Sequence, residues 1–217
     1  YVDKGKSEIM VKEAIDTSNG KLGVMTENSD NAFMPATINP FYMVCYSYNG
    51  GETKISADLS SYMNGYQDPR REIYGVTSTF DESENITNGF HGLRVGNEYP
   101  IKTGQCYSNV KVEVSSPIMW MNAAEVMFLR AEAALRGWDT EKTPKAYYEA
   151  GIRLSFEQLG AKNVEDYLVS TNTPESYKDP LGTYSFSGTP STISVQWKDG
   201  NFEESLERII TQKWIAN

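Results

Sequence analysis

The sequence predicts a mainly α fold, in which helix pairs carry a loop-rich insertion with a small antiparallel sheet. Three observations support this. The second half of the 217-residue chain holds long stretches with apolar residues at helical spacing, bounded by capping residues. Residues 20 to 115 are instead rich in Gly, Asn, Ser and Pro, with only short apolar runs. The composition is 39% hydrophobic and 12% aromatic, enough for a real core, with an ordinary 23% of charged residues. The chain reads as one unit over 1–217: a short helix plus loop-rich insertion over 1–115, and a helical scaffold over 116–217.

Taken in order, Ser7 to Ile15 is a short amphipathic helix with Ile9, Met10, Ala14 and Ile15 as its apolar positions, closing toward Asn19-Gly20. In the insertion, Tyr42 to Tyr46 and Val110 to Val114 read as strands, among turn signals such as Asn49-Gly50-Gly51 and Asn88-Gly89. Ser115-Ser116-Pro117 supplies a cap and a first-turn proline for a helix running to about Arg136, buried on most sides and ended by Gly137. Thr143-Pro144 repeats that start for a second helix ending at Gly160, with Gly151 in its middle, where a close helix contact would justify the glycine. The two form a hairpin resembling one tetratricopeptide-type repeat. The next helix begins only near Asn201, which breaks a regular ~34-residue period.

Charge and residue counts exclude several functions. With 20 Lys+Arg against 29 Asp+Glu the net charge is −9, which repels phosphate backbones and makes nucleic acid a poor partner. A single histidine, His91, rules out sites needing two imidazoles. Two cysteines, Cys45 and Cys106, permit either one disulfide or two reduced core thiols, and no C-x-x-C pair exists. The longest apolar run, Phe41 to Tyr46, is far short of the ~20 residues that span a membrane. Tyr1-Val2-Asp3-Lys4 shows neither an initiator Met nor a signal pattern, and helical periodicity runs to Asn217, so the chain reads as a piece truncated at both ends.

No phosphate-binding glycine loop or nucleophile elbow is present. Glu125 and Glu132 share a helix face but stand about 10.5 Å apart along its axis, beyond the roughly 5–5.5 Å of a retaining glycosidase pair, and Glu132 is better matched to Arg136 one turn on. Asn28-Ser29-Asp30-Asn31 and Asp81-Glu82-Ser83-Glu84-Asn85 gather oxygen atoms without EF-hand spacing, as solvated loops do. No cofactor or metal is implied. Of the 14 tyrosines, 9 lie at or before Tyr107, in the polar half that cannot bury them all. Flat apolar faces beside Asn, Asp, Gln and Arg make a pocket for a polar ligand. Tyr46, Tyr48, Tyr66, Tyr74, His91 and Tyr99 are the candidate ligand contacts on that ground.

The stretch from Pro117 to Trp138 (PIMWMNAAEVMFLRAEAALRGW) resembles the SusD/RagB family of outer-membrane nutrient-binding lipoproteins. Tyr148 to Gly160 and Glu207 to Ala216 continue the resemblance in the same order. Upstream, Tyr62-Met63-Asn64-Gly65-Tyr66-Gln67-Asp68-Pro69-Arg70 and Gly89-Phe90-His91-Gly92-Leu93-Arg94 also look like family motifs. The resemblance implies a SusD-like helical scaffold with a binding insertion, lipid-anchored on the outer face of a Gram-negative outer membrane. It implies non-catalytic capture of oligosaccharides, or of peptides in some branches, for a TonB-dependent transporter, with membrane contact only through a lipid anchor that this chain lacks. The Glu-Ala-Trp segment expected after the Gln-Lys-Trp helix is also missing.

Gly137, Gly151, Ala131 and Trp214 read as scaffold, and Asp68-Pro69-Arg70 as a structural turn. Two other classes remain: a helical module that holds only a partner protein, and a glycoside hydrolase using carboxylates among Asp58, Asp68, Asp81 and Glu98.

Overall fold

A computed structural model of the chain describes residues 3–48, 51, 53–76, 78, 89–97 and 106–217. Helix α1 (Lys4–Ile15) begins three residues before the predicted start, because Asp3 accepts the Lys6 amide and caps it. The small sheet exists, but its strands are not the predicted ones. Strand β1 (Ala32–Met34) pairs antiparallel with β2 (Ile118–Met121). Tyr42 to Tyr46 is helical instead, as α2 (Pro40–Tyr42) running into a π-helical turn, Met43–Ser47. Its cause is local: Asn39 accepts the Phe41 amide and Pro40 presets the first turn. Val110 keeps one isolated bridge, to Gly75.

Two short helices lie inside the region expected to be loop: α3 (Ala57–Gly65), capped by Ser56, and α4 (Arg71–Tyr74). The first scaffold helix, α5 (Ala123–Leu135), starts later than expected. Asn122 accepts the Glu125 amide as its cap, and the Pro117 region is spent on β2. Helix α6 (Pro144–Leu159) has the predicted Thr143 cap and ends at Gly160, whose φ of +67° favours glycine. A five-residue α7 (Val164–Leu168) was not foreseen, and α8 (Phe202–Ala216) starts after its Asn201 cap as expected.

The core lies where α5, α6 and α8 pack, around Phe128, Tyr148, Ile152, Phe156 and Ile209. Gly151 performs the predicted role, since a Cβ there would stand 2.8 Å from the Phe128 ring. Met63 and Tyr66 of the insertion enter the same core. Glu132 does pair with Arg136, at 2.8 Å. Both cysteines are buried and unbridged.

Asp68-Pro69-Arg70 is a turn with a larger task than a turn. Asp68 and Arg70 are both fully buried, and the Arg70 guanidinium grips the Asp68 carboxylate from Nε (2.9 Å) and Nη2 (2.6 Å). Its Nη1 donates to Ser155 Oγ on α6 at 2.9 Å, and Nη2 donates to Gln212 Oε1 on α8 at 3.0 Å. Tyr167 on α7 donates its hydroxyl to Asp68 Oδ2 at 2.8 Å. Burial opposes the charge on Arg70, but the Asp68 carboxylate outweighs it and holds the guanidinium protonated above its ordinary value.

Two glycines press surface loops onto α3. A Cβ on Gly65 would stand 2.3 Å from the Glu175 amide nitrogen and 2.4 Å from the Thr173 carbonyl oxygen. One on Gly92 would stand 2.0 Å from the Ser56 carbonyl oxygen, where Leu93 forms a parallel bridge with Ser56.

Three outcomes follow from this packing. Arg70→Met strands a buried carboxylate and lowers unfolding free energy by about 3–5 kcal/mol in chemical denaturation. Gly65→Ala and Gly92→Ala each cost about 1–3 kcal/mol by overpacking against backbone that cannot turn aside. Burial pushes Tyr147 from 10.0 up to about 12, and Tyr148 and Tyr167 upward as well. The fold therefore favours neutral phenols: this stability is complete below about pH 10 and is lost as pH rises through the folded values. Denaturant midpoints should fall above that pH, in step with tyrosinate absorbance.

Candidate functional site

The glycine contacts create a groove along α3. On one side runs the strip 90–94, held by Leu93 N donating to the Ile55 carbonyl (2.7 Å) and Ala57 N donating to the Leu93 carbonyl (3.0 Å). On the other runs the segment from Glu175, whose amide donates to the Ser61 carbonyl at 3.1 Å. Tyr177 ties the two walls together by donating its hydroxyl to the Gly92 carbonyl at 2.6 Å. Burial, with Asp179 beside it, pushes the Tyr177 hydroxyl above its ordinary value, so it remains a donor. Asp179 in turn accepts from Tyr107 (2.8 Å) and from the Tyr184 amide (3.1 Å), which anchors the loop that carries Phe186.

The groove has two adjoining hollows that share Ser61 and Tyr177. The wider, about 200 Å³, is lined by Asp58, Arg94, Phe186, Gly188 and Pro190 as well. The narrower, about 70 Å³, adds Asn64, Phe90, His91, Glu175 and Lys178. Asn64 is held in place by donating to the Phe90 carbonyl (2.9 Å) and accepting from Arg71 (3.1 Å). The Phe186 ring is 53% exposed, and the Arg94 guanidinium carbon stands 6.0 Å from its centre. Among the described residues, Asp58, Arg94, Glu175 and Lys178 form no ion pair. Donors, acceptors and an open aromatic face thus converge on one small concavity, the arrangement that binds polar ring ligands.

The six sequence candidates are dispersed. His91 lines the groove. Tyr66 is 3% exposed and donates to the Ile193 carbonyl at 2.9 Å, so its ring packs the core. Tyr46 donates to the Val110 carbonyl at 2.6 Å and stacks on Tyr42. Tyr74 meets the same segment from the far side, where the Lys111 amide donates to its carbonyl at 2.8 Å. Tyr74 also lines a separate cleft of about 650 Å³ with Trp214, whose other walls are chiefly aliphatic: Ile55, Leu59, Val110, Ile210 and Ile215. Tyr48 is 67% exposed, and Tyr99 lies outside the described residues.

Tyr177 and Phe186 carry no sequence expectation, while Asp58 enters the sequence analysis only as a hydrolase carboxylate and Arg94 only within a family motif. A signal existed, since Tyr184 and Phe186 sit in a Gly-, Ser- and Thr-rich segment, the same aromatic-in-polar-loop pattern that was applied only to the first half. Of the carboxylates weighed for hydrolysis, Asp68 is consumed by Arg70, while Asp81 and Glu98 lie outside the described residues. Of the two oxygen-rich loops, Asp81 to Asn85 lies outside them too. In the other, Asp30 is spent on the Thr26 and Glu27 amides. No cluster of metal-ligating side chains occurs among the described residues.

Comparison with known proteins places this geometry. The family model described as SusD-like, Susd and RagB outer membrane lipoprotein, matches residues 1–217. A comparison with curated proteins finds no match. Among solved structures, a SusD homolog from Bacteroides thetaiotaomicron VPI-5482 is 40% identical with a TM-score of 0.88, over 98% of this chain and 44% of that one. One from Bacteroides ovatus ATCC 8483 is 45% identical with a TM-score of 0.83, over 90% and 42%. A chitin-binding SusD homolog from Flavobacterium johnsoniae is 36% identical with a TM-score of 0.80, over 96% and 44%. The chain thus spans under half the length of these relatives. No helix among the described residues is long and apolar enough to cross a membrane. With a family model spanning the whole sequence and solved relatives of the same fold, the chain belongs to the SusD-like family of SusD and RagB outer membrane lipoproteins.

Proposed function

We propose that this chain forms part of a non-catalytic surface protein that captures oligosaccharides in the α3 groove and hands them to a TonB-dependent outer-membrane transporter. The protein is held to the outer face of the outer membrane by a lipid. Family membership supports nutrient binding at that membrane, and the Flavobacterium johnsoniae relative, which binds a sugar polymer, supports a glycan ligand.

The observation that carries the reading is the groove itself. Phe186 offers an open face for the apolar side of a sugar ring, and unpaired Asp58 and Arg94 flank it to accept from and donate to hydroxyls. The Tyr74 and Trp214 cleft, with its aliphatic walls, suits hydroxyl-rich rings less well. Of the sequence candidates, His91 lines the narrower hollow, which supports a contact role for it, while Tyr46, Tyr48 and Tyr74 line neither hollow.

Calorimetric titration of the chain with an oligosaccharide panel and with mixed peptides tests this. Saturable sugar binding is expected, and Phe186→Ala should weaken it by about 1 kcal/mol, roughly fivefold. Binding of peptides alone would replace the reading with peptide capture. Sugar binding that survives Phe186→Ala and Arg94→Ala unchanged would move the site elsewhere.

A further inference from the structure

We infer that the α3 groove selects uncharged sugar rings and discriminates against rings bearing carboxylate or sulfate. The inference rests on the glycan reading and names the ligand class of that same site. It follows from the sign, the pairing and the spacing of the charges.

Asp58 and Arg94 line the wider hollow and Glu175 and Lys178 the narrower, so the groove carries balanced charge, and among the described residues none of the four is neutralised by an ion pair. Carboxylates only accept hydrogen bonds and cationic side chains only donate them, whereas a sugar hydroxyl does both. A ring of hydroxyls therefore satisfies all four groups at once. An anionic substituent satisfies Arg94 or Lys178 but meets Asp58 or Glu175 within the same small space. The hollows of about 200 and 70 Å³ leave no room to hold it apart, being below the ~300–1,000 Å³ of sites for larger ligands. The net charge of the chain adds to this: at −9 it repels polyanions over a screening length of roughly 8 Å in physiological salt.

Gly188 keeps the aromatic face available. A Cβ there would stand 2.7 and 2.9 Å from Phe186 ring atoms, so a side chain would displace the ring from its present place. Ring stacking is thus built in by backbone, and charge balance is left to decide which rings enter.

The test compares matched oligosaccharides of the same linkage, with hexose and with the corresponding C6-carboxylate hexuronate, in calorimetric titrations of the full chain at low and physiological salt. The hexose form should bind at least about tenfold more tightly, with less than about a twofold change between the two salts. Asp58→Asn with Glu175→Gln, both exposed positions, should narrow that preference several-fold by leaving the groove net positive. Equal or tighter hexuronate binding by the unmodified chain, abolished by Phe186→Ala, overturns the inference while the glycan reading stands. Binding of peptides with no response to any sugar overturns the glycan reading itself. The unmodified-chain comparison decides the matter even where the double variant folds poorly.

Discussion

The buried guanidinium of Arg70 is the interaction on which the rest of the structure depends. It lies in the turn between α3 and α4, yet its nitrogens reach Ser155 on α6 and Gln212 on α8, and Tyr167 on α7 completes the cage around Asp68. Phe156 and Tyr167 rings close over it at 4.8 and 5.4 Å. A charge so fully desolvated is tolerated when its donors meet well-placed acceptors, and the planar fork of arginine fixes the directions in which they must lie. Four elements far apart in sequence are therefore held at one mutual geometry. Apolar packing of α5, α6 and α8 supplies most of the burial, but it is not directional. The ion pair chooses which arrangement of the insertion that burial accepts.

The consequence for function is positional. Because Met63, Tyr66 and the Asp68-Arg70 turn tie the end of α3 into the scaffold, its opposite face is presented to solvent in a fixed place. Gly65 and Gly92 then let two loops lie against that face at backbone contact distance, and Tyr177 bridges them. The groove is made of loop residues, but its walls are set by helix and glycine. Binding sites built this way lose little conformational freedom on taking a ligand, since the walls are ordered beforehand.

Much of the scaffold was legible in order along the chain. Thr143, Pro144 and Gly160 mark α6, Asn201 marks α8, Gly151 announces a close helix contact, and the Glu132–Arg136 pair follows from helical spacing. The failures have identifiable causes. Tyr42 to Tyr46 has the apolar and aromatic content of a strand, but Asn39 and Pro40 just before it start a helix, and local capping prevailed over β propensity. Pro117 was read as a helix start, although Asn122 offers the better cap and β1 offers β2 a partner from more than eighty residues upstream. Tyr66 has polar neighbours in sequence, which suggest an exposed ring. Those neighbours are the buried turn that draws it into the core.

The sequence by itself determined the helical scaffold, the family and the exclusion of several chemistries, because caps, periodicity and residue counts are local or additive properties. Only the tertiary structure decided which aromatic rings face solvent and which charges stay unpaired. Those depend on contacts between residues such as Arg94 and Phe186, or Gly65 and Glu175, whose separation along the chain carries no periodic signal. Side chains of one type, in similarly polar surroundings, therefore divided between core and groove according to partners that no short window of sequence contains.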